Sequence, residues 1–265
     1  EKINNNFKEN IEEIKIVNPI SSDLNVLRNS LYPNLIFFIK KNIDRGFENQ
    51  SLFEIGPLFI GKKPGQQITI ICGVRKEDQL NIYDIKKDVV QTLVELGIDK
   101  NETRISIETP SYYHPGKSGS IMTKHKQKLL AYFGQIHPKI INNTYGFEIF
   151  LENLVQYKSQ NKKDKPTITF SDYQKSERDF AFVVQKDLQA QDLLEIILNV
   201  DKLLVKNVKI FDVYEGENIP IDKKSIALKV TIQSDFKTLN EKDLNEISQK
   251  IISNVEEKAN AKLRS

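Results

Sequence analysis

The sequence predicts an α+β protein in two domains, each built on an antiparallel sheet, and three observations carry that reading. Residues 170–265 alternate strand-like and helix-like apolar patterns in the order β-α-β-β-α-β. Residues 1–158 hold strand runs joined by short turns, with helical stretches between them. Between the two, residues 159–169 include Lys162-Lys163-Asp164-Lys165-Pro166 and interrupt the apolar periodicity, as a solvated linker does.

In the first domain, Asn18-Pro19-Ile20-Ser21-Ser22-Asp23 reads as a turn, with Ser22 as N-cap of a helix carrying Leu24, Leu27 and Leu31. Pro33 suits the first turn of a following helix and Gly46 its end. Leu52 to Ile60 then reads as a buried strand, Gly61 to Gln66 as a tight turn and Gln67 to Val74 as the return strand. Ile82, Ile85, Val89, Leu93 and Leu96 recur at helical spacing, capped by Asn81 and stopped by Gly97. Further strands are expected at Thr103 to Glu108, Ser120 to Thr123, Lys128 to Phe133 and Phe147 to Glu152.

In the second domain, the strand Arg178-Asp179-Phe180-Ala181-Phe182-Val183-Val184 precedes a helix with Leu193, Ile196, Ile197 and Val200 on one face. The strand Ile210-Phe211-Asp212-Val213-Tyr214 follows. In the next, Ile226, Leu228, Val230 and Ile232 alternate with Ala227, Lys229 and Thr231, so one face is buried and the other wet. The last helix repeats the apolar stripe with Leu244, Ile247, Ile251 and Val255. Its start is well specified: Asn240 caps, Asp243 closes a capping box and Leu239 staples to Leu244. A short strand at Ala259 to Arg264 completes a ferredoxin-like arrangement, in which both helices cover one sheet face and leave the other free.

Composition narrows the function. A chain of 265 residues with one cysteine, Cys72, has no internal disulfide and no cysteine set for a structural zinc site. No apolar run approaches the ~20 residues that span a bilayer, and no basic-then-apolar leader opens the chain, so the expected setting is the cytosol, without membrane contact. There the sequons at Asn101 and Asn142 are chance matches. The chain opens at Glu1-Lys2-Ile3 without methionine, which reads as a piece of a longer polypeptide. The formal charge is +3, of which residues 170–265 contribute about −2 and residues 1–169 about +5. A free-standing RNA binder concentrates basic charge on its binding module, and this module does not.

Against that background, the motifs Arg178-Asp179-x-Ala181-Phe182, Phe211-Asp212-x-Tyr214-x-Gly216, Lys224-Ser225-x-Ala227, Lys237-Thr238-Leu239 and Leu263-Arg264 resemble, in order and spacing, a known module. It is the ferredoxin-fold anticodon-binding domain that ends the beta subunit of bacterial phenylalanyl-tRNA synthetases. Gln174 stands where that family usually has proline, and Lys237 where arginine is common. The first domain resembles the same family's core domain, related to class II synthetase catalytic domains. The carrying residues are Asn18-Pro19-Ile20-Ser21, Arg28-x-Ser30-Leu31-x-Pro33, Leu52-Phe53-Glu54-Ile55-Gly56, His114-Pro115-Gly116-Lys117-Ser118, Gly134-x-Ile136-His137-Pro138 and Glu148-Ile149.

The resemblance implies a part of an ATP-dependent aminoacyl-tRNA synthetase: a ligase subunit of protein biosynthesis whose partners are an alpha subunit and tRNA(Phe), in a hetero-oligomer of two alpha and two beta chains. ATP and magnesium are expected for the holoenzyme, and no cofactor on this part. Adenylation gathers negative charge, which class II enzymes meet with arginines. After Phe53-Glu54-Ile55-Gly56 this chain offers Lys62 and Lys63 instead of an arginine-acid pair, and no Gly-x-Gly-x-x-Arg occurs. No catalytic residue is therefore assigned, and the core domain is expected to be silent.

Other constellations are weaker. The three histidines, His114, His125 and His137, have no cysteine or carboxylate at ligand spacing, and two precede proline, so no metal site is assigned. Gly116-Lys117-Ser118 lacks the preceding glycine of a phosphate loop and reads as a surface turn. The RNA-binding candidates are assigned to the open sheet face and edges of the second domain. Arg178, Lys209, Lys229 and Lys237 would meet phosphates, and Phe211 and Tyr214 would offer rings to unpaired bases. Arg178 beside Asp179 could equally be a structural pair, and one of the two rings could be core. Two other readings compete: a protein-interaction scaffold on the same folds, and an amino-acid-binding regulatory module. The second wants a glycine after the first strand, where Gln185-Lys186-Asp187-Leu188-Gln189 has none.

Overall fold

The computed structural model describes residue 7 and residues 14–21, 25–125, 127–154 and 171–264. The chain divides into two compact units, Glu1–Asp164 and Lys165–Ser265. The expected linker at 159–169 lies outside the described residues, as does Ser22.

Unit 1 opens with a small antiparallel pair, β1 (Ile14–Lys15) and β2 (Val26–Leu27), followed by α1 (Tyr32–Ile43). A helix from Ser22 through Leu31 was the expectation, and the structure corrects it. Pro33 sits in the first turn of α1, and a helix running in from Ser22 would place it in the interior, without an N–H and in clash with the preceding turn. Within the described residues, Val26–Leu27 instead forms β2, and the Arg28 carbonyl accepts the Phe59 N–H at 2.9 Å.

A six-stranded sheet follows, all antiparallel, in the spatial order β3-β4-β8-β7-β6-β5. Its strands are β3 (Gln50–Phe59), β4 (Gln67–Lys76), β5 (Thr103–Ser106), β6 (Tyr113–Thr123), β7 (Leu129–Ile136) and β8 (Tyr145–Phe150). Between β4 and β5 lies α2 (Ile82–Glu95), whose Asn81 side chain accepts the Tyr83 N–H at 2.8 Å while Asp84 accepts the Asn81 N–H at 3.0 Å. Gly97 ends it with φ +85°, a conformation that costs glycine little. One sheet face packs on α1 through Ile36, Ile39, Ile70, Cys72 and Val74; the other packs on α2 through Ile85, Val89, Ile121 and Ile149.

Three strand expectations change. The stretch expected as a buried strand is an edge strand, β3, and alternation leaves Phe53 73% and Ile55 57% exposed. Gly116-Lys117-Ser118, expected as a surface turn, lies within β6, where the ladder jumps from Tyr113 opposite Ile136 to Ser118 opposite Gly134. The stretch is thus a bulge on a paired strand. The last strand of the unit ends at Phe150, and 151–154 is helical.

Unit 2 runs β9 (Ser176–Gln185), α3 (Ala190–Leu198), β10 (Val205–Tyr214), β11 (Lys223–Ile232), α4 (Glu241–Ala259) and β12 (Lys262–Leu263). The sheet is antiparallel in the order β10-β11-β9-β12, the ferredoxin-like order. The last strand is shorter than expected because α4 continues to Ala259, and Asn260 then turns the chain at φ +47°. Both helices pack on one face. Leu193, Ile197, Leu244, Ile247, Ile251 and Val255 meet Phe180, Phe182, Val184, Ile226, Leu228, Val230 and Ile232 in one core. Burying a side chain of this size is worth roughly 1.5–3 kcal/mol, so the period-2 and period-3.6 stripes together define which face closes. The capping box at Asn240 and Asp243 is present, with bonds of 2.9 and 3.1 Å.

Candidate nucleic-acid interface

The uncovered face of the unit 2 sheet follows from strand parity. On β9 the residues between the buried ones are Asp179, Ala181 and Val183, and opposite them β11 presents Lys229, Ala227 and Ser225. Ala181 pairs with Ala227, which gives the middle of the face a floor of small side chains.

A β-bulge on β10 decides what borders that floor. Ile210 pairs with Leu228, then Asp212 pairs with Ala227 and Tyr214 with Ser225, so Phe211 is the extra residue with no partner across the ladder. Bulges re-aim side chains by shifting the alternation. Without the extra residue, pairing in step would put Tyr214 on the helix-covered face. With it, Asp212 and Tyr214 stand on the open face and Val213 faces the helix side with Ile226. From the opposite edge, the Arg264 N–H donates to the Ala181 carbonyl at 2.7 Å, and its guanidinium reaches to 5.4 Å from the Tyr214 ring centroid. This is within cation–π range. The Tyr214 ring also leans on Gly216. A Cβ added there would lie 2.6 Å from the Tyr214 hydroxyl oxygen, so only glycine leaves room for this ring position.

Of the six predicted residues, the structure gathers Lys209, Lys229 and Tyr214 on the open face. Phe211 is the bulge residue and is 56% exposed; Tyr214 is 38% exposed, so neither ring is core. Lys209 stands opposite Lys229 and has no ion-pair partner among the described residues. Lys229 Nζ lies 3.3 Å from Glu177 and 4.0 Å from Asp179. The other two are elsewhere. Arg178 pairs with Val230 and so stands at the rim of the helix-covered face, not the open one, where its guanidinium meets Glu241 of α4 at 3.2 Å. Its partner is thus Glu241 rather than the adjacent Asp179, which faces the other way. Lys237 Nζ sits 2.9 Å from Asp243 at the start of α4. That bond, and after it the Asn240 N–H, holds the Asp243 carboxyl below its usual range.

Arg264 and Asp212 also stand on the open face, and neither is among the six predicted residues. The signal was available in part: Leu263-Arg264 was recognised as a motif, but only the pairing of β12 with β9 shows that Arg264 shares a face with Ala181. Asp212 was hidden by the bulge.

In unit 1, Lys62 and Lys63 occupy the turn between β3 and β4. A buried polar cluster lies on the α1 side of the sheet. Tyr112 donates to Glu148 at 2.7 Å, the Tyr32 and Tyr113 hydroxyls hydrogen-bond each other, and Phe7 packs on Tyr32 and Tyr112 with centroids 5.4 and 5.1 Å away. Burial pushes the Tyr32 and Tyr113 hydroxyls well above the ordinary tyrosine value. Arg28 spans Gly56 to pair with Glu54 and donates from Nε to the Pro57 carbonyl at 3.0 Å, which ties the chain before α1 to β3. Among the described residues no group of three His, Cys, Asp or Glu side chains is placed to hold a metal, and no helix is long and apolar enough to cross a membrane.

Fold and open face define the class: an α+β chain with a ferredoxin-fold module whose two helices leave one sheet face free. A family described as the phenylalanyl tRNA synthetase beta chain CLM domain matches residues 1–149, and one described as the ferredoxin-fold anticodon binding domain matches residues 171–264. The chain belongs to the phenylalanyl tRNA synthetase beta chain family. It is 35% identical over 269 residues to the phenylalanine-tRNA ligase beta subunit of Paramagnetospirillum magneticum, covering 95% of this chain and 34% of that one. For the subunit of Rhodospirillum rubrum the identity is 35% over 271 residues, covering 96% and 34%. For that of Rickettsia bellii it is 36% over 275 residues, covering 97% and 31%. The chain thus spans about a third of the length of the curated relatives it matches. Among solved structures, a pyrrolysyl tRNA synthetase of Desulfitobacterium hafniense aligns over 55% of this chain and 54% of its own, at 18% identity and a TM-score of 0.44, too loosely to bear on function.

Proposed function

We propose that unit 2 binds unpaired bases of the tRNA(Phe) anticodon on its open sheet face, as part of the beta subunit of a cytoplasmic phenylalanine-tRNA ligase. The observation that carries this reading is the bulge that turns Tyr214 onto a floor of Ala181 and Ala227, with Arg264 reaching across it. A ring beside a flat floor suits a nucleobase, since single-stranded RNA is held by stacking on aromatic side chains. The cations fit a supporting role. Arg178, Lys229 and Lys237 already face carboxylates, so a phosphate would have to compete with partners in place. Affinity should then come from stacking and from the rest of the assembly, with a shallow salt dependence. Titration of a tRNA(Phe) anticodon stem-loop tests this. Tyr214→Ala should weaken binding by about 1–3 kcal/mol, the usual worth of one stacked base. If Lys209→Ala and Lys229→Ala abolish binding while Tyr214→Ala and Phe211→Ala keep it, the face is an electrostatic platform and the stacking reading fails.

The reading assigns unit 1 to docking the alpha subunit, in an assembly of two alpha and two beta chains whose ATP and magnesium act on the alpha chain. A specific observation favours this. α1 turns Leu35, Ile36 and Ile39 inward and leaves Phe37 and Phe38 about half exposed, a pair of rings in edge contact at 5.6 Å. Exposed paired aromatics on a helix are typical anchors of protein interfaces. Copurification with the alpha chain tests it, and recovery of no alpha chain would favour a scaffold with other partners.

A further inference from the structure

Two motifs that stand about twenty residues apart in the sequence meet in unit 1, and the anticodon reading makes no use of them. His114-Pro115-Gly116-Lys117-Ser118 lies on β6, and His137-Pro138-Lys139 follows β7. Tyr113 pairs with Ile136 across the ladder and the His137 N–H donates to the Tyr112 carbonyl at 2.8 Å, so the two histidines are neighbours. Their rings lie 6.5 Å apart between centroids at an interplanar angle of 27°.

The two histidines are oriented alike. His114 Nδ1 accepts the Gly116 N–H at 3.0 Å, and His137 Nδ1 accepts the Lys139 N–H at 3.2 Å, each from the backbone two residues on and past a proline. With its Nδ1 lone pair engaged, a neutral imidazole carries its proton on Nε2. Each half-buried ring is therefore left with an N–H donor at Nε2. A metal-binding histidine has the opposite arrangement, its second nitrogen donating to an acceptor. Lys117, three residues after His114, and Lys139, two residues after His137, are exposed. A hollow of about 480 Å³ lies beside His137, lined also by Thr109, Ser111 and Tyr113, with Glu108 on its wall.

We propose that His114 and His137, flanked by Lys117 and Lys139, form a binding site for a phosphate group on unit 1. Two imidazole N–H donors and two ammonium groups match the acceptor-only oxygens of a phosphate. The site stands on different residues from the anticodon platform and holds or fails independently of it. Glu108 opposes the anion and sets a limit on its affinity.

The chain has only three histidines, which makes the test direct. Inorganic phosphate is titrated into the full chain at constant pH and ionic strength while the ring resonances of His114, His137 and His125 are followed by NMR. His125, exposed beside Glu102, is the internal control. The expected result is a joint, saturable shift of His114 and His137 with His125 still. His137→Ala should weaken binding about tenfold, and Glu108→Gln should tighten it about two- to fivefold. The tightening is a gain that a misfolded variant could not produce. Adenosine 5′-monophosphate and a single-stranded RNA without terminal phosphates then separate a terminal phosphate from a phosphodiester backbone, according to which of them displaces the inorganic ion. Equal movement of all three rings, no movement of His114 and His137, or weaker binding by Glu108→Gln overturns the proposal.

Discussion

Replacing Gly216 by alanine moves the Tyr214 ring without removing an atom of it. The added Cβ would lie 2.6 Å from the hydroxyl oxygen and 2.8 Å from the ring carbon that carries it, where ordinary contact begins at about 3.4 Å. The ring must therefore give way by about 0.6–0.8 Å. It is 38% exposed and borders solvent, so it can tilt without disturbing the core, and stability should change by less than about 1 kcal/mol. A gap of 0.5–1 Å forfeits a quarter to a half of a dispersion contact. Applied to a stacked base worth roughly 1–3 kcal/mol, that is a loss of about 0.3–1.5 kcal/mol, or roughly two- to tenfold in dissociation constant. Fluorescence anisotropy with a labelled anticodon stem-loop reads the effect, and a thermal melt confirms the fold. A Gly216→Ala protein that melts like the parent and binds the stem-loop equally well would refute the argument that this ring position is the one that matters.

Three further outcomes are expected. Asn240→Ala removes the cap of α4 and should cost about 1 kcal/mol in denaturant unfolding of unit 2. Phe38→Glu should abolish capture of the alpha subunit and leave the melting temperature within a few degrees of the parent, because the ring is half exposed. Tyr32 and Tyr113 hold their protons in the folded state above the value of about 10 at which unfolded tyrosines release them, so their contribution is full below pH 10 and is lost as pH rises above it. Tyr113→Phe should therefore flatten the fall of stability above pH 10 by up to about 1.4 kcal/mol per pH unit, measured by urea unfolding at several pH values.

The core of unit 2 was legible because its stripes are regular. Ile226, Leu228, Val230 and Ile232 alternate without a break, Leu244 to Val255 hold their helical spacing, and Asn240 with Asp243 marks the start of α4 by chemistry local to the sequence. What was lost depends on partners distant in the chain. Leu24, Leu27 and Leu31 mimic a helical stripe, but Val26–Leu27 pairs as a strand with Ile14–Lys15, and the Arg28 carbonyl takes the Phe59 N–H. Phe53 and Ile55 look like core in sequence, and only the position of β3 at the sheet edge leaves them exposed. The open face of unit 2 was legible in kind and its lining was not. Strand alternation agrees with the open-face position of Lys209 and Lys229, whereas the parity shift at Phe211 decides the face of every residue after it, Tyr214 included, and no local feature of the sequence announces a bulge. Arg178 was misplaced for the related reason that its face is set by register with Val230.

The claim that bases stack on the open face is tested most directly by photo-crosslinking. An anticodon stem-loop carrying 5-iodouridine in the loop is irradiated with the full chain, and the crosslinked peptide is identified by mass spectrometry. Crosslinks on Tyr214, lost in Gly216→Ala and competed by unlabelled stem-loop, are the predicted result. Crosslinks confined to the helix side of unit 2, at Arg178 or on α4, would contradict it.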